Sequence, residues 1–338
     1  MYEYSWMPMA AAFFFSLLMT PVARRFAFLI GAVDVPRDGR RMHRIPTARL
    51  GGAAIAVGFF CALFLTVPRS ALPRPGVLIG AALTAFLGAV DDKKALAAFP
   101  KLIAQIGIAL CPVLSGVRID FLDTPFGFWK LGVLGVPATV LFTVAVMNAF
   151  NLIDGIDGLS SGVASLASFS LACIALWRGE AGVAAVCLAL CGAVLGFLPF
   201  NAQPASVFMG DTGSLFLGYV LAVASVTGMM KTPVLFSVGV PILAFAVPLF
   251  DTALAVVRRA SGGVGLFSPD RAHLHHRLVL RLGYSPRAAS SVLYGVTAMY
   301  CLAALLLIIS PAAAGIVALL ASGYLLLVYG LSGERKSE

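Results

Sequence analysis

Apolar runs of roughly 20 residues follow one another along almost the whole chain, separated by short polar stretches. Each run is long enough to cross a bilayer core as a helix. Eleven can be laid out, at about 5–22, 50–67, 75–90, 99–116, 132–149, 160–177, 181–199, 214–230, 234–256, 288–309 and 312–331. Lipid offers no partner to backbone N–H and C=O groups, so runs of this kind are expected as helices that satisfy themselves. With 60% hydrophobic residues, 12% charged residues and a mean hydropathy of +0.97, the chain lacks the polar residues to cover a soluble domain. The expected fold is an all-α polytopic integral membrane protein, a single transmembrane domain over 1–338 with about 11 helices. The run at 75–90 is short, so its end is expected in a cytosolic vestibule.

Charge sets the expected orientation. The stretch MYEYSW before the first run has no basic residue, whereas Arg24 and Arg25 follow it. That arrangement predicts an N-terminus outside and argues against a cleaved leader. Alternating from there, the cytosolic connections hold 18 of the 24 Lys and Arg residues, and the C-terminal GERKSE lies inside. The outer side keeps Arg69, Arg74, Arg118, Lys130, Arg178 and Lys231. The net charge of +9 therefore reflects topology, and no soluble basic domain exists to carry nucleic acid. All six cysteines fall inside the runs without a C-x-x-C pair, which reads as packing.

The polar residues gather on the cytosolic side, in five stretches. DVPRDGRRMHRIPTARLGG (34–52) is a long basic loop that includes His43. AVDDKKALAAFPK (89–101) places Asp91 beside Asp92 at a helix end, where the two repel unless a cation neutralises them. Lys93 and Lys94 could instead make this a solvated helix end. NAFNLIDGIDGLSSG (148–162) repeats Asn148, Asn151, Asp154 and Asp157 at every third residue. On a helix these fan across about 180°, and Gly155 and Gly158 let the helix end, so the expectation is a loop aiming its polar groups at one point. FMGDTGSLFLG (208–218) puts Asp211 at a helix N-terminus, with Thr212 and Ser214 as caps and free N–H groups for an anion. RRASGGVGLFSPDRAHLHHRLVLRLG (258–283) holds His273, His275 and His276 with Arg271 and Arg277, poor spacing for zinc but suited to a diphosphate. Asp251, inside a run, reads equally as a functional acid or as a structural pair.

Taken together, VDD at 90–92, NAFNLIDGIDGL at 148–159, FMGDTGS at 208–214 and DRAHLHHR at 270–277 resemble the signature set of the polyprenyl-phosphate N-acetylhexosamine-1-phosphate transferases. The likeness runs in the same order from about residue 34 to 331, and the eleven spans resemble the bacterial undecaprenyl-phosphate N-acetylglucosamine-1-phosphate transferases. It implies transfer of an N-acetylhexosamine 1-phosphate, most naturally GlcNAc-1-phosphate, from a UDP-sugar to undecaprenyl phosphate, releasing UMP. It implies Mg²⁺ as cofactor, with Mn²⁺ as the alternative, held by Asp211 and Asn151. Asp91 and Asp92 would organise and deprotonate the lipid phosphate, with Asp154 and Asp157 orienting the donor or supporting the metal. Lys101, Asn148, His273, His275, His276 and Arg277 would bind substrate, and the 34–52 loop would close over the phosphates. The family setting implies the bacterial cytoplasmic membrane, a site facing the cytosol, the first membrane step of a cell-surface polysaccharide pathway, and a homodimer as one assembly.

Two features refine the resemblance. The histidines here run H-x-H-H-R, unlike the H-H-H of the related phospho-muramoyl-pentapeptide transferase. The chain also lacks the soluble insertion before the last span that marks the eukaryotic dolichol enzyme. The sugar itself stays open among UDP-aminosugars. A secondary transporter is the competing class, disfavoured by acids clustered at one face and by the lack of inverted halves. A lipid phosphatase is a third reading, and it would need no nucleotide sugar.

Overall fold

A computed structural model describes residues 6–35, 46–124, 127–229, 235–263, 265 and 272–332. The sequence candidates His43, Asp270 and Arg271 lie outside the described residues. Every apolar run contains helix: α1 (Met7–Ile30), α2 (Gly51–Thr66), α3 (Pro75–Lys94), α4 (Ala98–Leu114), α5 (Gly135–Ile153), α6 (Leu159–Trp177), α7 (Ala181–Asn201), α8 (Gly210–Met229), α9 (Leu235–Ala244), α10 (Ala246–Ser261), α12 (Pro286–Ile309) and α13 (Pro311–Leu331), with a single turn, α11 (Leu274–His276), before α12. Among the described residues, seven helical stretches are long and apolar enough to cross a membrane by length and composition. Large apolar side chains such as Leu65, Leu114, Leu141, Ile309 and Leu319 stand on the outside, as a lipid-facing belt requires. The chain is thus an all-α membrane protein, with two short antiparallel hairpins beside the helices: β1 (Val33–Asp34) with β2 (Thr47–Ala48), and β3 (Phe121–Thr124) with β4 (Gly127–Lys130).

Two elements differ from the sequence expectation. The run at 75–90 is a full helix to Lys94, so Asp91 and Asp92 ride on its last turn. The run at 234–256 is interrupted at Phe245 and becomes α9 and α10. Pro248 has no N–H to offer the carbonyl four residues back, so the ladder cannot run unbroken through Ala244. Phe245 is buried at the break and packs edge-to-face on Phe150 of α5, with ring centroids 5.9 Å apart.

α8 is the axis of the bundle, buried on every side from Thr212 to Val226. Its N-terminal turn is reached so closely by α2 and α3 that a side chain at Gly52 would meet the backbone of Gly213, and one at Gly88 the backbone of Thr212. Small residues here let three backbones approach, which is how helices gain contact in lipid. Ala48 of β2 bridges Val207, and the N–H of Phe208 donates to the carbonyl of Ala48 at 2.8 Å. The first hairpin is therefore joined to the segment that leads into α8. The end of α3, the start of α4, the end of α5 and the start of α8 all meet at this face.

Candidate active site

Asp91 and Asp92 are neighbours on a helix, so their side chains diverge by about 100° and serve different partners. Asp92, 8% exposed, points into the bundle. Its Oδ1 accepts the N–H of Asp211 at 2.8 Å, and its Oδ2 accepts the N–H and the hydroxyl of Thr212 at 2.9 and 2.6 Å. A carboxylate from α3 thus satisfies the exposed donors at the positive end of α8. This corrects the expectation that Thr212 and Ser214 cap α8 and leave its N–H groups to an anion. Thr212 donates to Asp92, and Ser214 donates to the carbonyl of Gly210 at 3.1 Å.

Asp91 faces the other way. Its Oδ1 accepts the N–H of Leu96 at 2.6 Å, closing the turn between α3 and α4. That turn carries Lys101 back over the helix end, so that its Nζ donates to Asp91 Oδ2 at 2.9 Å and also to Asp211 Oδ2. One ammonium bridges two carboxylates 120 positions apart in sequence. Arg49 adds a second cation, with its Nε 4.0 Å from Asp92 Oδ1.

The four polar residues around 148–157 do not converge on one point, as their spacing had suggested. Asn148 turns to α4, donating to Gln105 Oε1 at 2.7 Å, and Gln105 is 1% exposed. Asn151 donates to Ser214 Oγ at 2.9 Å and so lies against the first turn of α8. Asp157 accepts the N–H of Ala205 at 2.9 Å and ties its loop to the segment before α8. Asp154, at the end of α5, stands in the cluster. Burial first, then the negative charges of Asp211 and Asp92, push its carboxyl up to about 8, against a smaller lowering by Arg49. The two glycines have separate duties. Gly158 adopts φ +78 and starts α6, whereas a Cβ at Gly155 would occupy the space of the His275 imidazole.

That contact brings the histidine loop to the same place. His275 is 1% exposed, and burial together with His276 holds its imidazole down to about 3, hence neutral. Its ring lies parallel to that of His273 at 5.8 Å and tilted against His276 at 4.3 Å. Asp251 of α10 accepts from His273 Nδ1 and from the N–H of Leu274, both at 2.9 Å, so it is paired with this loop. Arg277 departs from the expected diphosphate clamp. Its guanidinium is buried, donates to Ala272 O at 2.9 Å and Ser332 Oγ at 3.1 Å, and lies 3.8 Å over the Tyr329 ring. It fastens the loop to the end of α13.

Asp91, Lys101, Asn151, Asp154 and Asp211 thus meet at one mouth, with His275 against its Gly155 wall. Arg49 and Gln105 were not singled out from sequence. Arg49 is one of five arginines between α1 and α2, and only its neighbours Gly51 and Gly52 mark it. Gln105 falls inside an apolar run, where a buried amide is a signal in its own right. Among the described residues, no three of His, Cys, Asp or Glu form a closed metal cage. A cation here would be shared between a few protein oxygens and its ligand's phosphates, as hard divalent ions often are.

The sequence model of a family described as glycosyl transferase family 4 matches residues 75–229, which run from α3 through α8. The chain is 38% identical over 293 residues to a probable undecaprenyl-phosphate N-acetylglucosaminyl 1-phosphate transferase of Bacillus subtilis (strain 168), covering 86% of this chain and 81% of that protein. A decaprenyl-phosphate N-acetylglucosaminephosphotransferase of Mycobacterium tuberculosis (strain CDC 1551 / Oshkosh) is 36% identical over 310 residues, 81% of this chain and 75% of its own. An undecaprenyl-phosphate alpha-N-acetylglucosaminyl 1-phosphate transferase of Yersinia pestis is 31% identical over 288 residues, with 82% and 77% covered.

Proposed function

Because the chain belongs to glycosyl transferase family 4, in its bacterial polyprenyl-phosphate N-acetylglucosamine-1-phosphate transferase branch, and is a phosphoglycosyltransferase, we propose that it moves GlcNAc-1-phosphate from UDP-GlcNAc to undecaprenyl phosphate. The products are undecaprenyl-diphospho-GlcNAc and UMP. We place the reaction at the cytosolic face of the bacterial cytoplasmic membrane, in an eleven-span chain with its N-terminus outside, as the first membrane step towards a cell-surface polysaccharide. The observation that carries the reading is the bridge from Lys101 to both Asp91 and Asp211, which joins two sequence-distant motifs through one cationic group.

An oxygen of the lipid phosphate attacks the sugar-bearing phosphorus of the donor, the new P–O bond forms, and the diphosphate bond breaks to release UMP. All partners are anionic, so the site must neutralise and align them. Lys101 binds the phosphates as they approach, trading its contact with a carboxylate for one with a phosphate oxygen. Asp91, beside that ammonium, orients the acceptor and takes up its proton. Asp92 does its part indirectly, by fixing the first turn of α8 and with it Asp211. Asp211 and the amide oxygen of Asn151 would hold Mg²⁺, the latter because Asn151 spends its NH₂ on Ser214. The fit rests on Asp154, whose carboxyl is lifted by burial and then by the negative charges of Asp211 and Asp92, which a divalent cation would balance. A bound Mg²⁺ would supply positive charge between the carboxylates and the phosphates. Asp154 and Asp157 shape the donor side, with His273, His275 and His276 on the facing loop.

Direct attack is favoured over a two-step route through an aspartyl phosphate, since an ionised phosphate needs little activation. Purified protein given UDP-GlcNAc and undecaprenyl phosphate should form an extractable lipid-linked sugar. With UDP-GlcNAc and labelled UMP but no lipid, it should catalyse no exchange. Exchange without lipid would replace direct attack by the covalent route, and no lipid-linked product from any UDP-aminosugar would remove the proposed function.

A further inference from the structure

The interrupted pair α9–α10 carries a carboxylate that the mechanism above does not use. Asp251 sits in the second turn of α10 with its side chain 2% exposed, and both oxygens are taken by the histidine loop. Oδ1 faces the N–H of Leu274, a group that can only donate. Oδ2 faces His273 Nδ1 and can only accept, so the ring proton belongs on Nδ1 and Nε2 is left to act. Ring rotation is limited as well, because His273 lies within 5° of parallel to His275. The position of Asp251 is set by the break at Phe245, whose ring packs on Phe150, the residue before Asn151. The same break therefore registers the histidine loop against the end of α5.

We propose that Asp251 is a positioning residue of the transfer reaction: it fixes the tautomer and direction of His273 so that Nε2 meets the phosphate-bearing substrates. This rests on the function proposed above. Asp251 touches no substrate itself and acts only through His273. An imidazole in this state accepts a hydrogen bond at Nε2, while the carboxylate at Nδ1 holds the ring in place.

The test is Asp251→Asn in the full chain, reconstituted in nanodiscs. The amide oxygen must stay opposite Leu274 N–H, which puts the NH₂ group against Nδ1 and drives the ring proton to Nε2. In ¹⁵N-histidine-labelled protein at alkaline pH, the signal assigned through His273→Gln should switch from the Nδ1–H to the Nε2–H signature. This readout needs no turnover, so it stands whatever the sugar nucleotide proves to be. In the UMP-release assay, kcat should fall about 100-fold with little change in the donor KM. His273→Gln should cost a similar factor, and the double variant no more than His273→Gln alone. An unchanged tautomer overturns the proposal, as do effects that multiply in the double variant. Should Asp251→Asn fail to fold, Asp251→Glu takes its place: the Nδ1–H signature should persist while the displaced ring lowers kcat, and an unchanged kcat overturns the proposal. Wild-type protein that releases no UMP would instead count against the function itself.

Discussion

Asp92→Asn separates the two neighbouring acids. In the native site Asp92 accepts three hydrogen bonds from the first turn of α8. Asparagine keeps one oxygen, so at least one buried donor is orphaned and faces a second donor. An unsatisfied buried donor costs about 1–3 kcal/mol. Loss of the negative charge at the helix N-terminus adds about 0.3–2 kcal/mol. The sum is about 1–5 kcal/mol, enough to move the unfolding transition visibly in a membrane protein. All six cysteines are free, and Cys187, Cys191 and Cys301 are buried, so a thiol-reactive dye reports unfolding directly. Asp92→Asn should become dye-reactive at clearly lower temperature than wild type. Asp91→Asn keeps an acceptor for Leu96 N–H and should unfold near the wild-type temperature while losing turnover. If Asp92→Asn unfolds with wild type and Asp91→Asn unfolds early, the division of labour between the two acids is wrong.

Lys101→Met removes the ammonium shared by Asp91 and Asp211, so UMP release should fall by about 100-fold or more, whereas loss within threefold would contradict a phosphate-binding role. Asp154 has a raised native pKa, so the folded protein holds a proton between about 4 and 8 that the unfolded chain has released. Metal-free protein should therefore lose thermal stability as pH rises through that window, Asp154→Asn should flatten the slope, and a slope unchanged in the variant would show that another group is responsible. Arg277→Lys keeps the charge but loses the fork to Ala272 and Ser332 and the contact with Tyr329. A drop of about 1–3 kcal/mol in stability is expected, and a raised donor KM with unaltered stability would restore the diphosphate-clamp reading.

Helices were legible because a run of about 20 apolar residues in lipid has few other options. The break at Phe245 was less so: hydropathy adds up across 234–256 as one run, and of its two prolines Pro241 sits inside α9 while Pro248 follows the break, so a missing N–H alone does not say where the helix stops. Asp91, Lys101 and Asp211 could be nominated from motif resemblance, but the 110 positions from Lys101 to Asp211 carry no periodicity that would bring the last to the first two. Asp92, Asn148 and Arg277 show the limit most clearly. Each is a polar residue in the right motif, yet its partners, α8, Gln105 and α13, belong to other helices. Local spacing states what a residue could bind, and tertiary packing decides which option is taken. Gly155 makes the same point in reverse, since an Asp-Gly pair suggests a turn and the structure uses the glycine as clearance for His275.

If the mouth formed by Asp91, Lys101 and Asp211 transfers a sugar phosphate to a lipid phosphate, turnover must depend on Asp211. UMP release should be measured from purified protein with undecaprenyl phosphate and UDP-GlcNAc, with and without Mg²⁺, beside an Asp211→Ala variant whose folding is checked by thermal unfolding. Wild type should release UMP only when Mg²⁺ is present, and the folded variant should release none. UMP release that survives loss of Asp211, or that proceeds equally without Mg²⁺, would contradict that role for the mouth.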